Sequence, residues 1–484
     1  MPSSPTVRGA RWRPQAAALA AALLLAACAS PGPDTRPLDA LTPAQLALGT
    51  QASPEVQPQW WRSLKDSQLD ALVAQALQGS PNLAVARART QRAQALALAL
   101  QAANGPQATL GADASRQRYT ANGLVPPPVA GNWWNSATMQ AGLAWSPDFF
   151  GQHAAEEASA LGQAHAVQAD AAAAETLLAL QVARGYVALA RTLAQQDLAR
   201  RTLAQRQEIR DITRQRLGAG LDSRVQDTQA AAALPDMRAQ IEALQEQAVL
   251  TRRQLAVLAG QAPDAQSTLA PRLAALTLQT PPQALGADLL GRRPDVVAAR
   301  WRVEAATQDV AVARTQFYPN VNLSAFIGLN ALGMDQLLQA SSRQMGMSPA
   351  LRLPLFDGGR LRAQLGGKRA DLDAAIAQYN ATVLDAVKEA GDAIASGQSL
   401  ERQHAEQGQA LGGAEQAYAL ALERYRAGLD SYLVVLNAES QVLAQRRLAA
   451  DLRARQFDTH LALMKALGGG WNDAALQPHA LATE

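Results

Sequence analysis

The chain has 484 residues, 48% of them hydrophobic but only 4% aromatic, with a formal charge of +3 and a single cysteine. That excess lies entirely in Arg8, Arg11 and Arg13; beyond residue 27 there are 41 basic and 41 acidic residues, which excludes the electropositive field of a nucleic-acid binder. One cysteine excludes a disulfide framework, and no run of 18 apolar residues follows it, which excludes a transmembrane helix.

The three arginines precede a short apolar run, 16–27, that ends at Leu25-Ala26-Ala27-Cys28. A helix needs roughly 20 apolar residues to span a bilayer, so this run reads as an export leader. Leu-Ala-Ala-Cys is a lipoprotein box, whose cysteine thiol is acylated and becomes the new N-terminus. Residues 1–27 are therefore a lipoprotein signal peptide and Cys28 the lipid attachment point. Ala29 follows, not an aspartate, and this resembles the sorting pattern for the outer membrane. Residues 28–59 are Pro-rich and irregular, a lipidated tether to the body.

Trp60-Trp61 precede a helical stretch to about Gly79, and Pro81 opens a second helix that Asn104-Gly105-Pro106 stops. The period then changes. Ala108, Leu110, Ala112 and Ala114 alternate with Thr109, Asp113, Ser115 and Gln117. After a Pro/Gly/Asn-rich excursion, Ala137, Met139, Ala141, Leu143 and Trp145 alternate with Thr138, Gln140 and Gly142. This predicts a hairpin of strands at about 108–119 and 136–145, each with one apolar and one polar face. A long helical hairpin follows over 148–260. No proline interrupts 148–217, and the chain turns at Ala219-Gly220-Leu221-Asp222-Ser223 before returning to Leu258. Glycine there supplies the C-cap, and Asp or Ser the next N-cap. Abundant alanine suits long helices packed closely together.

The same order then recurs. Ala427-Gly428-Leu429-Asp430-Ser431 repeats the turn letter for letter, 208 residues on. Arg293-Pro294-Asp295 answers Ser80-Pro81-Asn82, Pro354-Leu355-Phe356-Asp357-Gly358 answers Pro147-Asp148-Phe149-Phe150-Gly151, and Ala466-Leu467-Gly468 answers Leu258-Ala259-Gly260. Matches in one order mark a duplicated unit of about 200 residues. The second copy predicts strands at about 321–329 and 345–353, Pro349 being a misfit in the latter, and a helical hairpin over 357–468. Leu365, Leu372, Ile376, Tyr379, Val383, Val387, Ala390 and Ile394 form a coiled-coil stripe along it. The body thus divides into a first repeat, 60–280, a second repeat, 281–470, and a tail, 471–484.

Four amphipathic strands of about ten residues suit a transmembrane β-barrel. One chain cannot close it, because an open sheet edge leaves backbone groups unpaired in lipid. The chain must oligomerise: a dimer gives eight strands and a filled barrel, a trimer twelve and a lumen. The helices, ~105 Å for seventy residues, project away from the membrane.

Trp60-Trp61, Leu69-Asp70-Ala71-Leu72, Pro81-Asn82-Leu83, Arg293-Pro294-Asp295-Val296, Phe317-Tyr318-Pro319-Asn320, Pro354-Leu355-Phe356-Asp357-Gly358-Gly359-Arg360 and Tyr425-Arg426-Ala427-Gly428 follow one another in order. Together they resemble the TolC-like outer-membrane efflux ducts, in particular their lipoprotein branch, over nearly the whole mature chain. The resemblance implies a mainly α fold with a β-barrel portion. It implies a homotrimer, with a twelve-stranded barrel in the outer membrane and an α-helical tunnel through the periplasm. Its partners would be a periplasmic adaptor protein and an inner-membrane pump. Its function would be passive export of small molecules, such as drugs and toxic compounds, by a tripartite system.

In this family the periplasmic mouth is closed by polar residues just past the second tip, typically aspartates in Leu-Asp-Ala. Val434-Val435-Leu436-Asn437-Ala438 puts Asn437 where an aspartate is usual, which argues against an acidic cation-binding ring there. Three amides can still bond to one another and constrict the mouth. Asp222, Arg224 and Asp430 are candidates for the bonds that hold the coils shut. Ala219, Gly220, Leu221, Ser223, Ala427, Gly428, Leu429 and Ser431 resemble the surface that adaptors grip.

Catalysis finds no support. His153, His165, His404, His460 and His479 are scattered without a second ligand at metal spacing, and GxSxG, HExxH and CxxC are missing. No metal or cofactor is expected beyond the lipid on Cys28. A duct for secreted polypeptides would share the fold. A structural lipoprotein spanning the periplasm would share the helices but need none of the strands. Lipidation favours small-molecule efflux by family analogy.

Overall fold

The computed structural model describes residues 31–33, 36–46, 56–278, 286 and 289–472; the leader, Cys28, part of the tether, His479 and most of the tail lie outside them. In chain order the helices and strands are α1 (Ser67–Gly79), α2 (Pro81–Asn104), β1 (Gln107–Arg118), β2 (Trp133–Trp145), α3 (Gln152–Gly218), α4 (Arg224–Leu258), the single turn α5 (Leu289–Arg292), α6 (Pro294–Thr315), β3 (Asn320–Leu332), β4 (Arg343–Arg352), α7 (Arg360–Arg426) and α8 (Tyr432–Ala466). The duplication is metrical: α3 and α7 have 67 residues each, α4 and α8 have 35 each.

All four expected strands form, some longer than the alternation alone suggests. β2 begins at Trp133 because the ladder to β1 continues through Trp133↔Arg118, and β3 runs on to Leu332 opposite Ser136. Pro349 stands opposite Leu323 in β4, an outer strand of the sheet, where a missing N–H is tolerated. Pro235 lies inside α4 without ending it.

The chain forms two compact units. The first holds the described residues up to Asp39, Gln91–His165 and Arg300–Gln378. Its strands make one antiparallel sheet in the order β1-β2-β3-β4. Its helical part packs Ala306, Val310 and Ala313 of α6, with Phe317, against Leu361, Leu365, Leu372 and Ile376 of α7. Three of these, Leu365, Leu372 and Ile376, open the predicted stripe. Small residues let the helices approach: a Cβ on Gly162 of α3 would stand 3.2 Å from the Ala305 Cβ of α6. Asp309 of α6 ties this trio together, accepting from Ser159 Oγ of α3 at 2.6 Å and Lys368 Nζ of α7 at 2.8 Å.

The second unit holds Ala40–Thr90, Ala166–Ala299 and the described residues from Tyr379 onward. Trp60, Trp61, Leu64, Leu69 and Val73 pack on Val182, Tyr186 and Leu189 of α3, Leu255 of α4, and Phe457 and Leu461 of α8. Asp66 caps α1 by accepting the Gln68 and Leu69 N–H groups. Two of the repeated landmarks meet here. Gly260, just after α4, lies so close to the residue before Ser80-Pro81 that a Cβ on it would stand 2.0 Å from the Gly79 carbonyl oxygen. Gly468, just after α8, would stand 2.2 Å from the Arg292 carbonyl oxygen, before Arg293-Pro294. The same close approach is thus made in both copies of the duplicated unit. Arg293, 2% exposed, donates to Asp295 at 2.6 Å and to Glu389 of α7 at 2.9 Å. Lys465 of α8 completes the cluster at 2.6 Å from Glu389.

Candidate channel wall and mouth

The register of the sheet sorts its side chains into two faces. Ala108, Leu110, Ala112 and Ala114 of β1 oppose Leu143, Ala141, Met139 and Ala137 of β2, and these oppose Ala325, Ile327, Leu329 and Ala331 of β3. Ala325 and Ile327 in turn oppose Met347 and Met345 of β4. Cross-strand partners share a face, so one face is apolar across all four strands. Most of it is bare, with Leu110 77%, Ile327 62% and Met345 75% exposed, while the paired Ala137 and Ala331 at one end are buried. Soluble monomers rarely show so large an apolar patch.

The opposite face is polar and laterally bonded. Ser115 and Ser136 hydroxyls lie 2.7 Å apart, Asn330 Nδ2 donates to Thr138 Oγ1 at 2.8 Å, and Gln344 Nε2 donates to Gln140 Oε1 at 3.2 Å. Trp133 and Trp145 mark the two ends of β2 on the apolar side, and the Arg116 guanidinium lies 6.0 Å from the Trp133 ring centre. A rise of ~3.4 Å over about twelve residues, tilted by ~40°, puts the two indoles ~30 Å apart in height, the thickness of a hydrocarbon core. Aromatic residues at those two levels are the belt of a membrane barrel. β1 and β4 are the two edges of the sheet, and neither pairs with a further strand among the described residues.

The five-residue repeats form the tips of the helical hairpins in the second unit. Both close alike. Leu221 N–H donates to the Arg216 carbonyl and Gly220 N–H to that of Leu217, and Leu429 and Gly428 do the same with Arg424 and Tyr425. This is the Schellman closure, which needs a left-handed residue; Gly220 has φ 73° and Gly428 φ 78°. Ser223 and Ser431 are the N-caps of α4 and α8, and Gln226 completes a capping box with Ser223. The aspartates do not cap. Asp222 accepts Arg216 Nε at 3.0 Å, and Asp430 accepts Arg424 Nε at 2.5 Å. Motif spacing does not single out these arginines, but extending the five-residue match three positions upstream brings in both.

The first pair is sealed and the second is not. Tyr425, fully buried at the end of α7, donates its hydroxyl to Asp222 at 2.7 Å and shares a hydrogen bond with Thr213 of α3 at 2.9 Å. Arg216 stacks over the Tyr425 ring at 4.7 Å and donates to its carbonyl. Burial first, and then the Asp222 carboxylate, push the Tyr425 phenol up to about 12. The tip of α3–α4 is thus bolted to the end of α7 within one chain. Arg224 and Asn437 are exposed. Two residues from Asn437, Glu439 of α8 is buried and accepts Arg206 Nε of α3 at 2.9 Å, while its Oε1 is buried without a partner. Burial outweighs the Arg206 charge and raises the Glu439 carboxyl. Arg206 and Glu439 meet across 233 positions, and no local pattern announces them.

The described histidines are dispersed in the structure as in the sequence. His460 is buried, which lowers its pKa, and His165 packs against the Trp301 ring at 4.6 Å. Among the described residues no three His, Cys, Asp or Glu side chains are grouped to hold a metal ion, and no helix is long and apolar enough to cross a membrane.

Residues 72–261 and 285–469 match the family described as outer membrane efflux protein, one match in each copy of the duplicated unit. The fusaric acid resistance protein FusA of Burkholderia cepacia is 39% identical over 73% of this chain and 69% of its own length. The multidrug resistance outer membrane protein MdtP of Escherichia coli (strain K12) is 33% identical over 94% of this chain and 95% of its own. The crystal structure of the outer membrane protein VceC from Vibrio cholerae matches with a TM-score of 0.81 at 35% identity, covering 85% of this chain and 99% of that one. On sequence and fold together, the chain belongs to the outer membrane efflux protein family.

Proposed function

We propose that the chain is the outer-membrane duct of a tripartite efflux assembly, passing small molecules from an inner-membrane pump and a periplasmic adaptor to the exterior. One observation carries this reading: the apolar face that runs unbroken across a sheet whose two edges are open. In lipid such edges must be paired, and three copies supply twelve strands whose polar faces surround a lumen. Relatives named for multidrug and fusaric acid resistance support small molecules as cargo over polypeptides. The Ala-Gly-Leu tips, with Leu221 and Leu429 exposed, are the adaptor's docking points. Asn437, Asp222, Arg224 and Asp430 belong to the mouth, and the Cys28 lipid anchors the chain.

Detergent-purified protein should have the mass of a trimer and conduct in planar bilayers; a monomeric mass would refute the barrel. Amide contacts of about 1 kcal/mol each are weak enough for an adaptor to part. Asn437→Ala should therefore raise single-channel conductance, and Asn437→Asp should add cation selectivity and block by divalent cations. Two variants that conduct like the parent would make Asn437 plain surface. Labelled palmitate should enter the parent protein and not Cys28→Ser; equal labelling would remove Cys28 as the anchor.

A further inference from the structure

The polar face of the sheet carries one side chain that breaks its pattern. Phe326, in the middle of β3, stands on that face with Ser324 and Asn330, and 37% of it is exposed. Trp134 and Leu332, the other large apolar side chains there, pair with Gln117 and Ser136 near the loop that joins β1 to β2. Each strand also contains one glycine, and all four lie on this face in two adjacent rows. Thr109, Gly142, Phe326 and Gly346 make one row across the sheet; Gly111, Gln140, Gly328 and Gln344 make the next.

Phe326 therefore has a glycine on either side. Its ring leans over β4, where a Cβ on Gly346 would stand 2.7 Å from Phe326 Cε1 and 2.8 Å from Cζ. Covering a strand glycine with a cross-strand aromatic is a packing device, and it accounts for the side of the ring turned to Gly346. It does not account for the side turned to β2. There the Thr109 hydroxyl, at 3.3 Å, is the one group within 4 Å of a Cβ on Gly142, so bare backbone separates Thr109 from the ring. Glycine inside a strand marks a place where something approaches the backbone closely. The next row supplies hydrogen-bonding groups: Gln344 Nε2 donates to Gln140 Oε1 at 3.2 Å, which leaves the Gln140 amide N–H and the Gln344 carbonyl for a solute.

We propose that Phe326 is the residue of the channel wall that discriminates among cargoes. Its ring and the bare backbone at Gly142 form a shelf on which planar aromatic solutes stack in passing, with the Gln140 and Gln344 amides at the edge. The proposal rests on the trimeric barrel, in which the polar faces line the lumen and three such shelves stand at one level. Aromatic rings attract one another in offset-stacked contact, and a flat solute can reach this ring because no side chain stands over Gly142. A rounded aliphatic solute gains none of this.

Full-length protein in planar bilayers, with ethidium added on the side of the loop between β1 and β2, should show long current blocks. Tetraethylammonium, of equal charge but without a ring, should not give them. Phe326→Ala should shorten the ethidium blocks about five-fold, the scale of one aromatic contact. Phe326→Leu keeps Gly346 covered and most of the bulk in place but has no ring. It should lose the blocks as the alanine variant does, and it decides the matter if the alanine variant fails to assemble. Phe326→Tyr should keep them. Ethidium blocks that persist in Phe326→Leu, or equal blocks by the two cations in the parent, overturn the proposal. A parent protein that never conducts sinks the duct reading and the shelf with it, a failure distinct from conduction without discrimination.

Discussion

Ile327→Arg should abolish stable assembly in the outer membrane. Ile327 is in the middle of β3, opposite Ala141 and Met345 on the apolar face. A lipid-facing arginine at the bilayer midplane costs ~2–4 kcal/mol per copy. In the proposed trimer three copies would lose roughly 6–12 kcal/mol, as much as the whole stability of an ordinary domain. The same charge at Gln140, one residue along β2 from Ala141 and on the polar face, has water beside it. Gln140→Arg should leave assembly intact and lower cation conductance. The check is the oligomer recovered from isolated membranes. If both variants assemble alike, the faces have been assigned wrongly.

Gly468→Ala should be among the most damaging single-methyl additions in the chain. Gly468 has φ 97°, which an L side chain resists at a cost of about 1–2 kcal/mol. Its Cβ would also meet the Arg292 carbonyl oxygen at 2.2 Å and carbon at 2.8 Å, so backbone has to move. Overpacking of this kind adds about 1–3 kcal/mol. Gly412, in α7, has nothing within 4 Å of a built Cβ; Gly412→Ala should stabilise by up to about 1 kcal/mol through helix propensity. One chemical change, two signs: thermal unfolding of the two variants separates them. Equal melting temperatures would mean that the close approach at Gly468 is not maintained.

Much of this was legible in the sequence, for reasons of periodicity. The two-residue alternation survives translation into a sheet because register keeps Leu110, Ala141, Ile327 and Met345 on one side. The tips were legible because a left-handed glycine followed by a serine cap leaves a fixed spelling. Partners across distance were not. Asp222 and Asp430 read as candidates for bonds that close the coils; both carboxylates accept arginines of their own tips, and Asp222 alone also accepts a hydroxyl from another helix, that of Tyr425 in α7. Arg206 and Glu439 carry no spelling at all: a buried pair depends on which helix faces pack, and a long alanine-rich helix offers several equivalent faces. The closeness of Gly260 to Gly79 was equally hidden, although Gly260 belongs to a landmark that recurs and Gly79 adjoins another.

The two tips have the same backbone and different insides. Leu217 in the first copy corresponds to Tyr425 in the second and Thr213 to Ala421, and within one chain Arg216–Asp222 is almost dry while Arg424–Asp430 is more exposed. An assembly of three chains would therefore offer six tips of matching outline but only three of each chemistry. A partner that reads outline alone would count six equivalent seats. One that reads charge would find them alternating, and the ring it builds would have sixfold form with threefold grip.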